Sequence, residues 1–172
     1  MLVFQYGSNM SRKRLNSPER LAGDARRIGI AQTVDPYRFC FPVWSETNSC
    51  AAASISPNPD GCSIFGVLYE IPDSLVYRQE AKNLNRRSLD AIEGEGTNYV
   101  RTTIDVVHSD GAAISATTYV AKGAGPELKT SADYARHILT GLAENDMPPA
   151  YRMYVAACIA QSNPVLAGMV EK

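Results

Sequence analysis

The sequence predicts an α+β fold in which a small mixed β-barrel or curled sheet is flanked by helices. Two observations lead to this prediction. Up to about residue 121, short runs rich in β-branched and aromatic residues alternate with turns that contain glycine or proline. From there on, apolar residues recur at helical spacing, which predicts two C-terminal helices over about residues 131–162. We therefore expect one domain over residues 1–172.

Seven strands are predicted, and each is bounded by residues that favour turns. Asp35–Pro36, Pro57–Gly61 and Ser109–Gly111 separate neighbouring strands, because proline restricts and glycine frees the backbone. The predicted strands are Leu2–Tyr6, Ala25–Thr33, Tyr37–Phe41, Cys50–Ile55, Ser63–Ile71, Tyr99–Val107 and Ile114–Ala121.

The helices are predicted from caps and from apolar spacing. Ser8 or Asn9 is expected to cap a short helix through Met10–Leu15, and Pro18 to begin a further helical turn. A helical stretch from Pro72 is interrupted near Asn83–Asn85 and resumes over Arg86–Glu93, which Gly94 terminates.

Composition argues against several classes of protein. Hydrophobic residues make up 45% of the chain, which is enough for a full core. A net charge of −1 and only short basic clusters, such as Arg12–Arg14, argue against a nucleic-acid partner. Since no stretch approaches the ~18 apolar residues of a membrane span and no signal peptide is evident, we expect a cytoplasmic protein without a membrane partner. The oligomeric state is left open, with a homodimer as one option.

Cysteine and histidine usage argues against disulfides and zinc. The four cysteines have no C-x-x-C spacing, so free thiols are expected in the cytoplasm. With only two histidines, neither a structural nor a catalytic zinc site is expected.

The first strand ends in the sequence Tyr6–Gly7–Ser8–Asn9, which allows two interpretations. It is either an ordinary strand-to-helix turn or a bend whose free N–H groups bind an anion. Nucleotide binding is a poor third, because the bend has one glycine and no lysine–serine phosphate signature.

Glu93 lies in the sequence LDAIEG, where Leu89, Ile92 and Glu93 share one helix face. Burial and the helix C-terminus should both raise the pKa of this carboxyl group towards the range useful for proton transfer. The alternative is a helix-end carboxylate paired with an arginine. Asp90 and Glu95 are expected to be solvated.

Two tyrosines follow Glu93 on the next strands. Tyr99 begins one predicted strand and Tyr119 lies on its neighbour. They either pack in the sheet or line a binding site, and packing is the commoner role.

Taken together, FQYGSNM, FGVLYEI, SLDAIEG, NYVRTTIDV and TYVAKG resemble, in order and spacing, the γ-glutamylcyclotransferase family. The resemblance runs from Leu2 to about Tyr151. It implies a small mixed fold around a curled barrel and an enzyme without cofactor or metal. Such enzymes cyclise a γ-glutamyl group to 5-oxoproline and release an amino acid or amine.

The resemblance also implies the roles of individual residues. Glu93 is implied as the general acid/base and the backbone of Tyr6–Asn9 as the binding site for the γ-glutamyl group. Met10, Tyr99 and Tyr119 are expected to contact substrate. The polar loop Glu95–Asn98 and the segment Tyr77–Arg87, which is longer than in compact members of the family, are expected to shape the part of the site that contacts the leaving group. The identity of the leaving group is therefore not predicted. A non-catalytic binding or interaction module on the same scaffold is the alternative, because folds are reused for unrelated tasks.

Overall fold

The structure is a computed structural model that describes residues 1–123 and 125–169. Five strands form a closed barrel in the order β1-β5-β2-β6-β7, and two form a separate hairpin, β3-β4. This arrangement, with helices around it, confirms the α+β prediction. The strands are β1 (Leu2–Gln5), β2 (Arg26–Thr33), β3 (Tyr37–Ser45), β4 (Cys50–Pro57), β5 (Phe65–Glu70), β6 (Tyr99–His108) and β7 (Ala113–Ala121).

The barrel closes around β1. This strand pairs antiparallel with β5 and parallel with β7, where Val3 faces Thr117. The hydroxyl of Thr118 supports the closure by donating a hydrogen bond to the Phe4 carbonyl oxygen (2.9 Å). Gly66 is required opposite, because a Cβ there would lie 2.6 Å from the carbonyl oxygen of Gln5. The bend after β1 therefore emerges at the barrel end, beside β7.

The β3-β4 hairpin is longer than predicted and packs against β7. The sequence places the end of β3 at Phe41, but the strand continues to Ser45 across a register shift between Cys40 and Val43. A bulge of this kind accommodates Pro42, which has no N–H to donate. The Ser54 hydroxyl accepts a hydrogen bond from the Ala121 N–H (2.8 Å), so the hairpin covers one side of the barrel end.

The first helix begins later than predicted. Ser11, rather than Ser8 or Asn9, caps it, and the Ser11 hydroxyl accepts a hydrogen bond from the Arg14 N–H (3.3 Å). Ser8 and Asn9 instead lie in a 3₁₀ turn, Ser8–Met10, and the segment after Pro18 forms turns rather than a helix. The helices are α1 (Arg12–Leu15), α2 (Arg78–Asn83), α3 (Leu89–Glu93), α4 (Ala132–Glu144) and α5 (Pro149–Ser162), with further 3₁₀ turns at Asp73–Leu75 and Pro164–Met169.

The cysteines are unpaired in the structure. All four cysteines are free thiols, as predicted, and three of them are buried. In the part of the chain that the structure describes, every helix is too short or too polar to cross a membrane.

Helix α4 supports the bend from behind. Gly141 on this helix lies so close to Met10 that a Cβ at Gly141 would be 2.8 Å from the Met10 Cβ and 3.0 Å from the Ser11 nitrogen. The Asn145 side chain adds hydrogen bonds to the carbonyl oxygens of Met10 (3.2 Å) and Gly141 (2.8 Å). The position of the bend thus depends on a helix more than 120 residues away in sequence.

We expect Gly141→Val to destabilise the protein by about 1–3 kcal/mol, because the added methyl groups overpack this contact. For a domain of this size, the melting temperature should fall by about 2–12 °C. Gly168→Val is the matched control, since nothing lies within 4 Å of a Cβ at that position. Equal melting temperatures for both variants in thermal denaturation would contradict the close approach of α4 to the bend.

Candidate active site

Glu93 is held across the barrel end by two side chains of the N-terminal segment. Its Oε1 accepts hydrogen bonds from Asn9 Nδ2 (2.8 Å) and from Gln5 Nε2 (3.0 Å). Helix α3 presents the carboxylate there because Ser88 caps its start and Gly94, at φ +71°, ends it directly after Glu93. The structure therefore brings the sequence LDAIEG against the bend that follows β1.

Burial raises the pKa of the Glu93 carboxyl group above its ordinary value. The hydrogen bonds from Asn9 and Gln5, and the charges of Arg20 and Arg14, lower the pKa in part without cancelling the effect of burial. The residue still keeps part of its surface open, because it faces a cavity. A carboxyl group whose pKa burial raises in a cleft is a candidate for exchanging protons with a substrate.

The Asn9 side chain links Glu93 to Arg20. Arg20 Nη1 donates to Asn9 Oδ1 (3.1 Å), while Asn9 Nδ2 donates to Glu93. A guanidinium can only donate and an ionised carboxylate can only accept, so one orientation of the amide satisfies both neighbours. The amide thus couples a positive charge to the carboxylate without a direct ion pair.

The bend itself offers free hydrogen-bond donors. The Met10 N–H donates to the Gly7 carbonyl oxygen (3.0 Å) and closes the 3₁₀ turn. Within residues 1–123 and 125–169, the N–H groups of Gly7, Ser8 and Asn9 donate to no protein acceptor. Neighbouring N–H groups of this kind form a site for an anion or a developing negative charge.

Glu93 and the bend line two neighbouring parts of one cleft. A small recess of about 30 Å³ lies next to an outer chamber of about 360 Å³, and both are lined by Ser8, Asn9, Glu93, Tyr99 and Tyr134. The recess is lined by Gln5, Tyr6, Gly7, Ser8, Asn9, Ala53, Glu93, Tyr99, Thr118, Tyr119 and Tyr134. The outer chamber adds Arg14, Glu19, Arg20, Glu46, Asn48, Arg87 and Asn98, among others.

The predicted tyrosines form walls of the recess, and their hydroxyl groups bond to the protein. Tyr6 donates to the Tyr119 carbonyl oxygen (2.5 Å), and Tyr99 to that of Ala53 (2.7 Å). Tyr119 donates to Asp90 Oδ1 (2.7 Å). Burial raises the pKa of all three tyrosine hydroxyl groups, so they stay protonated at neutral pH. Glu93 is therefore the group in the recess that is best suited to exchange a proton.

The expectation that Asp90 is solvated is wrong. Only 4% of Asp90 is exposed, and its carboxylate pairs with Arg101 Nη1 (2.5 Å) and accepts the Tyr119 hydroxyl. Strands β6 and β7 cover the side of α3 that carries Asp90. The short apolar pattern of α3 did not reveal this contact. The sequence left open that Glu93 pairs with an arginine. In the structure, the carboxylate on this helix that pairs with an arginine is Asp90.

Met10 was predicted to contact substrate, but it lies outside the cavity that the other predicted residues line. It is fully buried against α4 and lines neither part of the cavity. Among the described residues, no cluster of His, Cys, Asp and Glu side chains could hold a metal ion.

Several lining residues were not predicted from the sequence, and four of them lie close to Glu93 or carry charge at the cavity wall. Gln5 carried a signal, because a glutamine at the end of an apolar strand and 6% exposed needs a polar partner. Arg14 was grouped with the surface cluster Arg12–Arg14, although it faces the cavity. Arg20 and Tyr134 carried no local signal, since only the tertiary fold brings them to Glu93.

The sequence model of the family "Gamma-glutamyl cyclotransferase, AIG2-like" matches residues 3–137, which include the bend, Glu93 and Tyr119. The comparison with curated proteins yields no match.

Solved structures share the fold. A γ-glutamyl cyclotransferase is 24% identical, with a TM-score of 0.71 over 87% of this chain and 82% of that one. An uncharacterised human protein is 25% identical, with a TM-score of 0.70 and the same coverage. YkqA from Bacillus subtilis is 22% identical, with a TM-score of 0.73 over 92% of this chain and 54% of its own. Because the family match spans most of the chain, this protein belongs to the γ-glutamyl cyclotransferase, AIG2-like family.

Proposed function

We propose that this protein catalyses the intramolecular cyclisation of a γ-glutamyl group to 5-oxoproline, with release of an amino acid or amine and with Glu93 as the general acid/base. One observation carries the proposal. The carboxylate whose pKa burial raises shares a cavity with the free N–H groups of Gly7–Asn9. The family membership supports the same reaction class.

In the proposed reaction, Glu93 moves one proton between two nitrogen atoms of the substrate. Its carboxylate accepts a proton from the α-amine as the new C–N bond closes the five-membered ring at the γ-carbonyl carbon. It returns the proton to the departing nitrogen as the γ-amide bond breaks. A second proton leaves the α-ammonium group to solvent before the attack, and the released amine takes one up from solvent afterwards. An amide and an ammonium group thus become a lactam and a new ammonium group, with no net release of protons.

The remaining lining residues would hold the substrate in its attack geometry. The reacting groups belong to one molecule, so the protein needs mainly to fold the γ-glutamyl chain on itself. The N–H groups of the bend would bind the α-carboxylate or stabilise the oxyanion at the γ-carbonyl. Tyr6, Tyr99 and Tyr119 would restrict the chain laterally. Because the inner recess is small, the γ-glutamyl group would extend from it into the outer chamber.

The test is direct measurement of 5-oxoproline after incubation of the purified protein with γ-glutamyl-alanine, glutathione or γ-glutamyl-lysine. We expect release from at least one of them. Absence of 5-oxoproline from the whole panel would contradict the proposal. If 5-oxoproline or a γ-glutamyl compound then bound at the cavity without turnover, the chain would be a binding module instead.

A further inference from the structure

We propose that Arg14 and Arg20 bind a carboxylate on the leaving group, so that the preferred substrates are γ-glutamyl amino acids or peptides rather than γ-glutamylamines. The inference rests on the proposed function and names the substrate class for the same cavity. It concerns the outer chamber. If the γ-glutamyl group binds at the recess beside Glu93, the departing part of the substrate lies in this chamber.

Arg14 is a cation at the chamber wall that forms no ion pair within the described residues. It is partly buried, and its Nε is fully buried without a hydrogen-bond acceptor among residues 1–123 and 125–169. Burial lowers the pKa of its guanidinium group, as expected where water solvates the charge poorly. A buried donor left unpaired is costly unless a ligand satisfies it. This arginine therefore fits a site that an anion completes.

Arg20 adds a second cation at the same wall. One of its nitrogen atoms, Nη1, holds Asn9 Oδ1. In the described part of the chain, the guanidinium forms neither an ion pair nor a second side-chain hydrogen bond. Burial lowers the pKa of its guanidinium group, and the positive charge of Arg14 lowers it further because the two like charges repel each other. A carboxylate between them would relieve this repulsion and accept charge-assisted hydrogen bonds from both.

Within the described residues, the acidic residues of the chamber form no ion pair with Arg14 or Arg20, although the charge of Glu93 acts on both arginines. Glu19 and Glu46 also line the chamber, but both are exposed and neither forms an ion pair within the described residues. Exposed charges interact weakly, because water and salt screen them. The partly buried charges at the wall, Arg14 and Arg20, should therefore decide which leaving group binds.

The chemistry of the substrate fits this placement. In a γ-glutamyl amino acid, one carbon atom separates the departing nitrogen from its carboxylate. Anchoring that carboxylate on the arginines would keep the nitrogen in the cavity that contains Glu93, which must protonate it. A γ-glutamylamine lacks this anchor and would leave both guanidinium groups without an anion.

The experiment compares two substrates of nearly equal shape, γ-glutamyl-alanine and γ-glutamyl-alaninamide, which differ by one negative charge. We expect the wild-type protein to prefer the carboxylate in kcat/KM by about 10- to 100-fold, the range for charge-assisted hydrogen bonds. Arg14→Gln should lose most of this preference, because it should impair γ-glutamyl-alanine more than γ-glutamyl-alaninamide, and Arg14→Lys should restore part of it. Arg12→Gln is the matched control, because Arg12 lies on the same helix, is exposed and lines a different cavity.

Equal turnover of the two substrates by the wild-type protein would overturn this inference and leave the proposed function intact. A preference that survives Arg14→Gln would also overturn the role of Arg14. Failure to release 5-oxoproline from either substrate or from the wider panel would instead contradict the proposed function. The wild-type comparison needs no variant, so the inference stays testable even if Arg14→Gln does not fold.

Discussion

Glu93→Gln is expected to lower kcat for 5-oxoproline release by about 10²- to 10⁴-fold, the usual contribution of a general acid/base. Glutamine has nearly the same shape, and its Oε1 can still accept the hydrogen bonds that Asn9 and Gln5 donate to Glu93. It cannot carry a proton between the two nitrogen atoms. The loss should therefore be chemical, with the fold and the cavity preserved.

The same variant makes a prediction about stability, with a sign that follows from the pKa. Because the pKa of Glu93 is raised in the folded protein, folding is weakened as the pH rises through that pKa and ionises the buried group. Glu93→Gln removes this penalty. We expect it to melt at a higher temperature than the wild type near neutral pH, and the difference to vanish below the ordinary value of 4.5.

The matched control is Glu95→Gln, the same change two residues later, beyond Gly94 and outside the cavity lining. It should retain nearly wild-type turnover. A folded Glu93→Gln protein with a near-normal rate would refute the role of Glu93. A melting difference that grows towards acidic pH would refute its raised pKa.

Asn9→Asp is expected to move the acid limb of the pH profile of kcat/KM to higher pH by about 1–3 units. In the wild type, this limb should lie above 4.5, because the free enzyme must hold Glu93 ionised before it can accept the substrate proton. In the variant, a second carboxylate would stand where the Asn9 amide now donates to Glu93 at 2.8 Å. Two carboxyl groups at that distance share a proton, so the apparent pKa of the pair rises.

Activity at neutral pH should fall accordingly and recover in part as the pH is raised. Asn83→Asp is the control, because it makes the same change at an exposed position of α2. Its acid limb should coincide with that of the wild type. An unshifted limb for a folded, active Asn9→Asp protein would show that Asn9 does not set the protonation of Glu93.

Local sequence patterns predicted most of the secondary structure, and they failed where a contact from elsewhere intervened. The strands β1, β2 and β4–β7 lie within a few residues of their predicted bounds, because β-branched runs and turn residues act locally. The prediction for β3 stopped at Pro42, since only the pairing with β4 and its bulge carry the strand onwards. The cap of α1 moved to Ser11 because Ser8 and Asn9 belong to a 3₁₀ turn.

The candidate site shows the same division. The motifs around Gly7 and Glu93 predicted the two halves of the cavity, because each half is a short local structure, a bend and a helix end. Asp90 was misplaced because its burial depends on Arg101 and Tyr119, on strands that follow it in the chain. Met10 was misplaced because Gly141 draws it against α4.

By itself, the sequence determined the α+β class, the order of the elements, and the pairing of one carboxylate with one bend as a hypothesis. Only the tertiary structure decided that Gln5 and Asn9 donate hydrogen bonds to that carboxylate and that Asp90 forms the ion pair with Arg101. It also decided that Arg14 and Arg20 face the outer chamber. The physical reason is that propensities and spacing act over a few residues. Burial and the resulting pKa of Glu93, in contrast, are set by groups up to 88 positions away that meet only when the barrel closes.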